Sequence, residues 1–269
     1  MRTAAYRYPN EQLVLALTLL VVMGVIALTA TATVCASLLF ILAFILMSYL
    51  LGRAHHQELV RVAEVITQQT MPDLDRLVRR GVERLQPGPV QVFVASGREL
   101  NAYTFGLSSP KAVVLYAGLF QVMDGDELLF ILGHEMGHVA LGHTWLNSLV
   151  GGMAGIPASW SVGAVLALAF LWWNRMCEYS ADRAGLLACG KPKKAISALV
   201  KLGAGPSART VRDLERAYRQ IDAEDDTPAG ALGEVLATHP MLIRRIENLK
   251  RYAASDTYRR LLSRMSQAS

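Results

Sequence analysis

The segment His134-Glu135-Met136-Gly137-His138 sets two imidazoles four positions apart with a carboxylate between them. Residues four apart share a helical face, so His134 and His138 can each turn a ring nitrogen to one metal ion while Glu135 projects beside them toward a water. That geometry suits catalytic zinc, one ion per chain, which commonly takes three protein groups and keeps one position for water. The alternative is two histidines that merely share a helix.

A third ligand is required. His143 follows His138 by five positions, which on a continued helix rotates it away from the ligand face. Glu178 is the better candidate. Its segment, 174–182, reads as helix, and Asp182 lies four residues on, where it can accept the second ring proton of a ligand histidine and fix its tautomer. Taken alone, a Glu and an Asp at this spacing also describe a solvated helical face.

The elements that hold these groups are partly legible. Asp124 followed by Glu127 resembles a capping box, Leu128, Leu129, Ile131 and Leu132 supply an apolar face, and Gly142 is a natural stop. Gly133 and Gly137 each weaken a helix by roughly 1 kcal/mol relative to Ala, so close approach of another backbone or of substrate is expected to offset them.

The motif around 133–138, then Arg175, Glu178, Ala181 and Asp182, and later Thr238-His239-Pro240 with Arg245, Ile246 and Leu249, resembles the HtpX-type membrane metalloproteases of metallopeptidase family forty-eight, to which the CAAX prenyl proteases are related. Asn101-Ala102-Tyr103 and Gly118-Leu119 extend the likeness over about positions 70 to 250. The resemblance implies a zincin-type fold with His134, His138 and Glu178 as zinc ligands, Glu135 as general base and Asp182 as the group behind a ligand. It also implies protein or peptide substrates.

Positions 13–51 carry no charge, too long for one ordinary span and enough for two of roughly 18 residues each. The reading is a helical hairpin, 13–30 and 34–51, turning at 31–33. Arg2 and Arg7 precede it and Arg53 and Arg61 follow, which puts both ends, and the catalytic domain, on the cytoplasmic side of the cell's inner membrane in a multi-pass protein. A cleavable signal peptide ending near Ala30-Thr31-Ala32 is the competing account. It would put the domain on the other side.

A second uncharged stretch, 144–174, separates the two halves of the metal site. A single crossing would strand His138 and Glu178 on opposite sides of a bilayer, so any crossings are even in number. Two full spans need about 40 residues, so a hairpin broken near 155–157, buried or dipping into the membrane, is expected. Trp145, Trp160, Trp172 and Trp173 suit an interface or an aromatic core.

The fold class expected is α+β, mainly helical: a membrane anchor at 1–52 and a metallopeptidase domain at 53–269 with a small sheet. Positions 57–86 read as helix broken at Pro72, with 73–86 as its second piece; strands are expected at 90–95, 100–105 and 112–116, and later helices at 192–202, 209–221 and 241–253. The net charge of +5 draws on Lys191, Lys193, Lys194, Arg209, Arg212, Arg216, Arg244 and Arg245, a basic surface that suits anionic headgroups. No aromatic-basic module supports nucleic acid. Asp222, Glu224, Asp225 and Asp226 read as a loop. Cys35, Cys177 and Cys189 read as reduced thiols, Cys177 as packing.

The mechanism expected is metal-assisted hydrolysis with Glu135 carrying the water proton to the leaving amine. His239 is the candidate donor to the oxyanion, or a structural histidine before Pro240; Tyr179 and Arg245 are lesser candidates. Asn101, Ala102 and Tyr103 are the expected substrate strand, bound through main-chain bonds. Three functions compete: a membrane protease of protein quality control, a narrow processing protease, and a noncatalytic zinc-binding scaffold or chaperone.

Overall fold

β-branched and aromatic side chains concentrated at 90–95, 102–105 and 111–116 build a small mixed sheet. The computed structural model describes residues 5–32, 36–106, 109–150, 161–204, 216 and 242–268. Strands β1 (Glu64–Val65), β2 (Val90–Ala95), β3 (Ala102–Phe105) and β4 (Lys111–Tyr116) lie in the order β1-β2-β4-β3. β2 runs parallel to β4, and the outer pairs are antiparallel. Period-two alternation divides β4: Val113 and Leu115 enter the main core, and Ala112 and Val114 face a second cluster that includes Val60 and Ala63.

The helices are α1 (Glu11–Ala32), α2 (Ala36–Val62), α3 (Pro72–Leu85), the single turn α4 (Leu119–Val122), α5 (Gly125–Leu141), α6 (His143–Val150), α7 (Ser161–Cys189), α8 (Pro192–Ala204), α9 (Leu242–Ala253) and α10 (Asp256–Ala268). α5 runs through the centre of the main core, with buried Leu129, Phe130, Leu132 and Met136. α7 packs along it. A Cβ on Gly133 would stand 2.3 Å from Ala188 Cβ, and one on Gly137 2.6 Å from Ala184 Cβ, so the two helices meet backbone to backbone as the glycine cost predicts.

α5 is also held at both ends. The Asp124 side chain accepts from the amides of Asp126 and Glu127 at 3.1 Å each, and Glu127 Oε2 accepts from the Asp124 amide at 2.9 Å, completing the capping box. Gly142 closes the helix in the left-handed conformation with φ of 81°. Glu127 is further bound by Ser197 at 2.6 Å and Lys201 at 2.7 Å, which ties α5 to α8.

Several expectations are corrected. The helical reading of 57–86 gives way at 63–71, where β1 pairs with β2 and Thr67 and Thr70 exchange amide-to-hydroxyl bonds at 3.0 and 3.2 Å before Pro72 starts α3. α2 continues through residues 52 and 53, so the expected boundary between anchor and domain falls inside one helix. The apolar residues from 161 onward and the Glu178 segment form one 29-residue helix rather than a hairpin arm followed by a new helix. α10 had no counterpart in the sequence reading. Lys191 and Lys194 are paired with Asp126 and Asp124, and Arg245 is buried, so these three do not belong to a free basic surface. The expected turn at 33, the break near 155–157, the helix at 209–221 save Arg216, the acidic residues 222–226, Cys35 and Trp160 lie outside the described residues.

α1 is long and apolar enough to cross a membrane, and only 11% of its window is buried. Leu13, Leu20, Met23 and Leu28 are exposed along it. The segment that leads into it is different. Tyr6 is fully buried in the main core, Arg7 bonds the Leu141 carbonyl at 3.1 Å, and the Tyr8 amide donates to Ser180 at 2.7 Å. Arg183 lies 4.8 Å from the Tyr8 ring centre and 4.7 Å from that of Tyr252, clasping the segment to α7 and α9.

Candidate metal centre

α5 and α7 bring three donor groups together. His134 Nε2 and His138 Nε2 lie 3.2 Å apart, and Glu178 presents Oε2 at 3.6 Å from the first and Oε1 at 3.5 Å from the second. Zinc–nitrogen bonds of about 2.0 to 2.1 Å at a tetrahedral angle would separate two nitrogens by about 3.3 Å. The spacing therefore fits a metal ion.

The proton inventory points the same way. His134 Nδ1 lies 3.0 Å from Asp182 Oδ1, an acceptor that fixes the ring proton on Nδ1 and leaves the Nε2 lone pair facing the centre. His138 Nδ1 is likewise occupied, 3.0 Å from His143 Nδ1. A proton on His138 Nδ1, donated to His143, would leave both Nε2 lone pairs converging on one point. A cation between them removes that repulsion.

Glu135 is buried in the same cleft, and burial pushes its carboxyl above the ordinary carboxylate range. Burial also pushes Asp182 upward, but the Arg245 charge and hydrogen bonds, with those of His134, hold it below the usual range. Arg245 donates to Asp182 from Nε at 2.9 Å and Nη2 at 2.7 Å, and its Nη1 lies 3.0 Å from Glu178 Oε2. Asp182 and Glu178 outweigh burial and keep the guanidinium charged. All three nitrogens are turned to carboxylates, so Arg245 acts as a clamp on the acidic side of the site rather than as a surface charge.

The cleft holds about 320 Å³ and is lined by residues 100–104, which include Asn101, Ala102 and Tyr103, together with the metal triad, Glu135 and Arg245. Phe130, Ile131 and Leu202 supply apolar wall. β3 is the edge of the sheet among the described residues. Asn101 accepts from the Tyr116 amide at 3.1 Å, and in an antiparallel ladder the bonded positions alternate, so the backbone groups of Ala102 and Thr104 point away from β4. Tyr179 is buried against Tyr8, with ring centres 4.9 Å apart. His239 lies outside the described residues.

His143 starts α6, beyond the Gly142 cap, and is not among the three converging donors. Burial pushes its imidazole down to about 4, which keeps it neutral. Its Nε2 lies 3.0 Å from Oε1 of Glu11, the first residue of α1. Neither contact was visible in the spacing. The only sequence signal was an uncommon one, a carboxylate at the mouth of an otherwise uncharged run.

The profile of peptidase family M48 matches residues 67–253, more than half of the chain. The plastoglobule-localized metallopeptidase 48, chloroplastic, of Arabidopsis thaliana is 27% identical over 226 residues, 79% of this chain and 66% of its own length, so this chain spans just under two thirds of that relative. Protease HtpX of Xanthomonas oryzae pv. oryzae is 29% identical over 233 residues, 72% of this chain and 77% of its own. A Protease HtpX homolog of Pyrococcus furiosus is 25% identical over 222 residues, 71% of this chain and 77% of its own.

Proposed function

The chain belongs to peptidase family M48 as an HtpX-like metallopeptidase, and from that premise we propose that it is a membrane-anchored zinc endopeptidase that cleaves unfolded or misassembled proteins. The observation that carries this reading is the convergence of His134 Nε2, His138 Nε2 and the Glu178 carboxylate in a cleft walled by a strand edge and holding buried Glu135. Two imidazoles and a carboxylate suit zinc, which supplies the Lewis acidity to acidify water and polarise the scissile carbonyl.

Glu135 accepts a proton from the attacking water as its oxygen bonds to the carbonyl carbon. It then returns that proton to the amine as the carbon–nitrogen bond breaks. Asp182, fixed by Arg245, keeps His134 in the tautomer with its Nε2 lone pair directed inward. His239, which falls within the matched span, is the proposed donor to the oxyanion. An extended substrate adds to the outward backbone groups of Ala102 and Thr104, between Asn101 and the apolar wall, so main-chain bonds rather than side-chain readout dominate recognition. That favours broad use on unfolded chains.

The membrane reading draws on the exposed apolar length of α1 and the apolar α2 that follows. Because the first turn of α1 packs against α7, the start of the helix and the metal site share one side of the bilayer, and the chain must cross again after α1 to rejoin its domain. A two-span anchor meets that need, with both ends cytoplasmic by the positive flanks. A cleaved leader would remove Tyr6 from the core. Exposed Lys193 would meet anionic headgroups.

Cleavage of unfolded casein by the detergent-purified full chain tests the activity, with zinc, with chelator, and as Glu135→Gln. Wild type should cut only with metal, and Glu135→Gln should bind metal but fall at least about a hundredfold in rate. Equal cleavage by wild type and Glu135→Gln would overturn the mechanism.

A further inference from the structure

Behind the metal triad, on the side away from the cleft, a second buried polar cluster is assembled from three elements: Glu11 of α1, His143 of α6, and Ser180 and Cys177 of α7. Glu11 is 1% exposed, and its carboxylate is contacted by Arg7, by Ser180 and, at 3.0 Å, by His143 Nε2. His143 Nδ1 in turn lies 3.0 Å from His138 Nδ1. The mechanism above uses none of these groups.

Only one arrangement of protons satisfies the chain of contacts once His138 gives its Nε2 lone pair to a metal. The His138 proton then sits on Nδ1 and must be donated to His143 Nδ1, which accepts. The one remaining proton of neutral His143 therefore sits on Nε2 and is donated to Glu11. Each ring nitrogen has one role, and the series ends in a carboxylate that Ser180 and Arg7 hold in place. A second metal among Glu11, His143 and Cys177, whose donor atoms lie within 4.8 Å of one another, would need the His143 Nε2 lone pair. It would force a proton onto His143 Nδ1, directly against that of His138.

We infer that Glu11, at the start of the N-terminal apolar helix, is a positioning residue for the metal site, acting through His143 to fix the tautomer and ring orientation of His138. The inference rests on the reading of His138 as a metal ligand. The two sides of the site are thus alike in logic, Arg245–Asp182 behind His134 and Glu11–His143 behind His138, but the second support is delivered by the anchor. Withdrawing the first turn of α1 from α7 would remove it.

The test uses the purified full chain stripped of metal and refilled with Co2+ or Zn2+, reading the Co2+ visible absorption bands and the metal dissociation constant by chelator competition. Wild type, Glu11→Leu, Glu11→Gln, His143→Leu and His138→Ala are compared, with Arg183→Ala as the control that loosens the Tyr8 clasp and the bond to the Arg7 carbonyl while leaving every side chain of the series in place. One metal per wild-type chain is expected, lost in His138→Ala. Glu11→Leu and His143→Leu should weaken binding by about tenfold to a hundredfold and shift the Co2+ bands, with Glu11→Gln intermediate because its amide oxygen can still accept from His143. Arg183→Ala should leave the bands in place.

Wild-type affinity and bands in both leucine variants would overturn the inference, as would bands unchanged with equal weakening in Arg183→Ala, which is docking alone. Two metals per wild-type chain would overturn it in favour of a second site. Metal binding that survives in His138→Ala would instead refute the underlying reading of the ligands.

Discussion

Arg245 grips Asp182 through two parallel hydrogen bonds of 2.9 and 2.7 Å, and the same Asp182 oxygen that receives the shorter one lies 3.0 Å from His134 Nδ1. The pair is buried, with side-chain exposures of 11% and 2%. Removing one partner of such a pair leaves an uncompensated charge, at a cost of about 3 to 5 kcal/mol. Arg245→Met should therefore destabilise the metal-free protein by that amount in denaturant unfolding, and Arg245→Met with Asp182→Asn should recover part of it. A loss below about 1 kcal/mol in the single variant would show that the clamp is not what organises this side of the site.

Gly137 is the contact point between the helix that carries the histidines and the helix that carries Glu178. A methyl group there would stand 2.6 Å from Ala184 Cβ and 3.3 Å from Ala181 Cα, so the helices must part. Gly137→Ala gains roughly 1 kcal/mol of helix propensity and loses about 1 to 3 kcal/mol to overpacking. The expected net is a modest loss of stability with a disproportionate loss of metal affinity, because Glu178 moves away from both imidazoles. Chelator competition and thermal unfolding measured on the same sample separate the two effects. Metal affinity equal to wild type would mean that the helix spacing is not critical to the triad.

Asp124 caps the metal helix, and its side chain also pairs with Lys194. Asp124→Ala should cost about 1 kcal/mol at neutral pH. Burial works to raise the Asp124 pKa, but the Lys194 hydrogen bond and the two capped amides leave it lowered. A carboxylate lowered on folding contributes stability above its unfolded value of about 3.9 and loses it as pH falls through the folded value. The gap between wild type and variant should be constant from pH 7 to about 5 and close at more acid pH, measured by denaturant unfolding of metal-free protein. A gap that widened on acidification would contradict the capping role.

What was readable in advance was local. The Asp124 and Glu127 box, the Gly142 stop and the three strands within two residues all follow from neighbours in the chain, and the two helical glycines announced a close helix without naming it. Glu178 could be proposed because its partner Asp182 shares a helical face and because separated segments resembled a known family. The Glu11–His143 contact joins positions 132 apart and has no periodic signature, so only packing reveals it. Arg245 counted as surface charge because sequence cannot distinguish a solvated arginine from one clamped between carboxylates. The run of α7 from Ser161 through Glu178 to Cys189 has no marker in the sequence for a related reason: nothing at 174, where the uncharged stretch ends, breaks a helix.

Ala102 offers the most direct handle on substrate binding. Its backbone points away from β4 on the strand edge that lines the cleft, so proline there removes an outward N–H while leaving the bonds of Asn101 and Tyr103 to β4 in place. If a substrate adds to this edge, Ala102→Pro removes one hydrogen bond worth about 1 kcal/mol, and KM for unfolded protein should rise about fivefold with kcat largely kept. Metal content and Co2+ bands should match wild type. The companion change Gln91→Pro, on β2, which is paired on both sides, should instead lower folded yield, since proline inside a sheet breaks a ladder bond. An Ala102→Pro enzyme with unchanged KM would remove β3 as the substrate platform and direct attention to the Phe130, Ile131 and Leu202 wall.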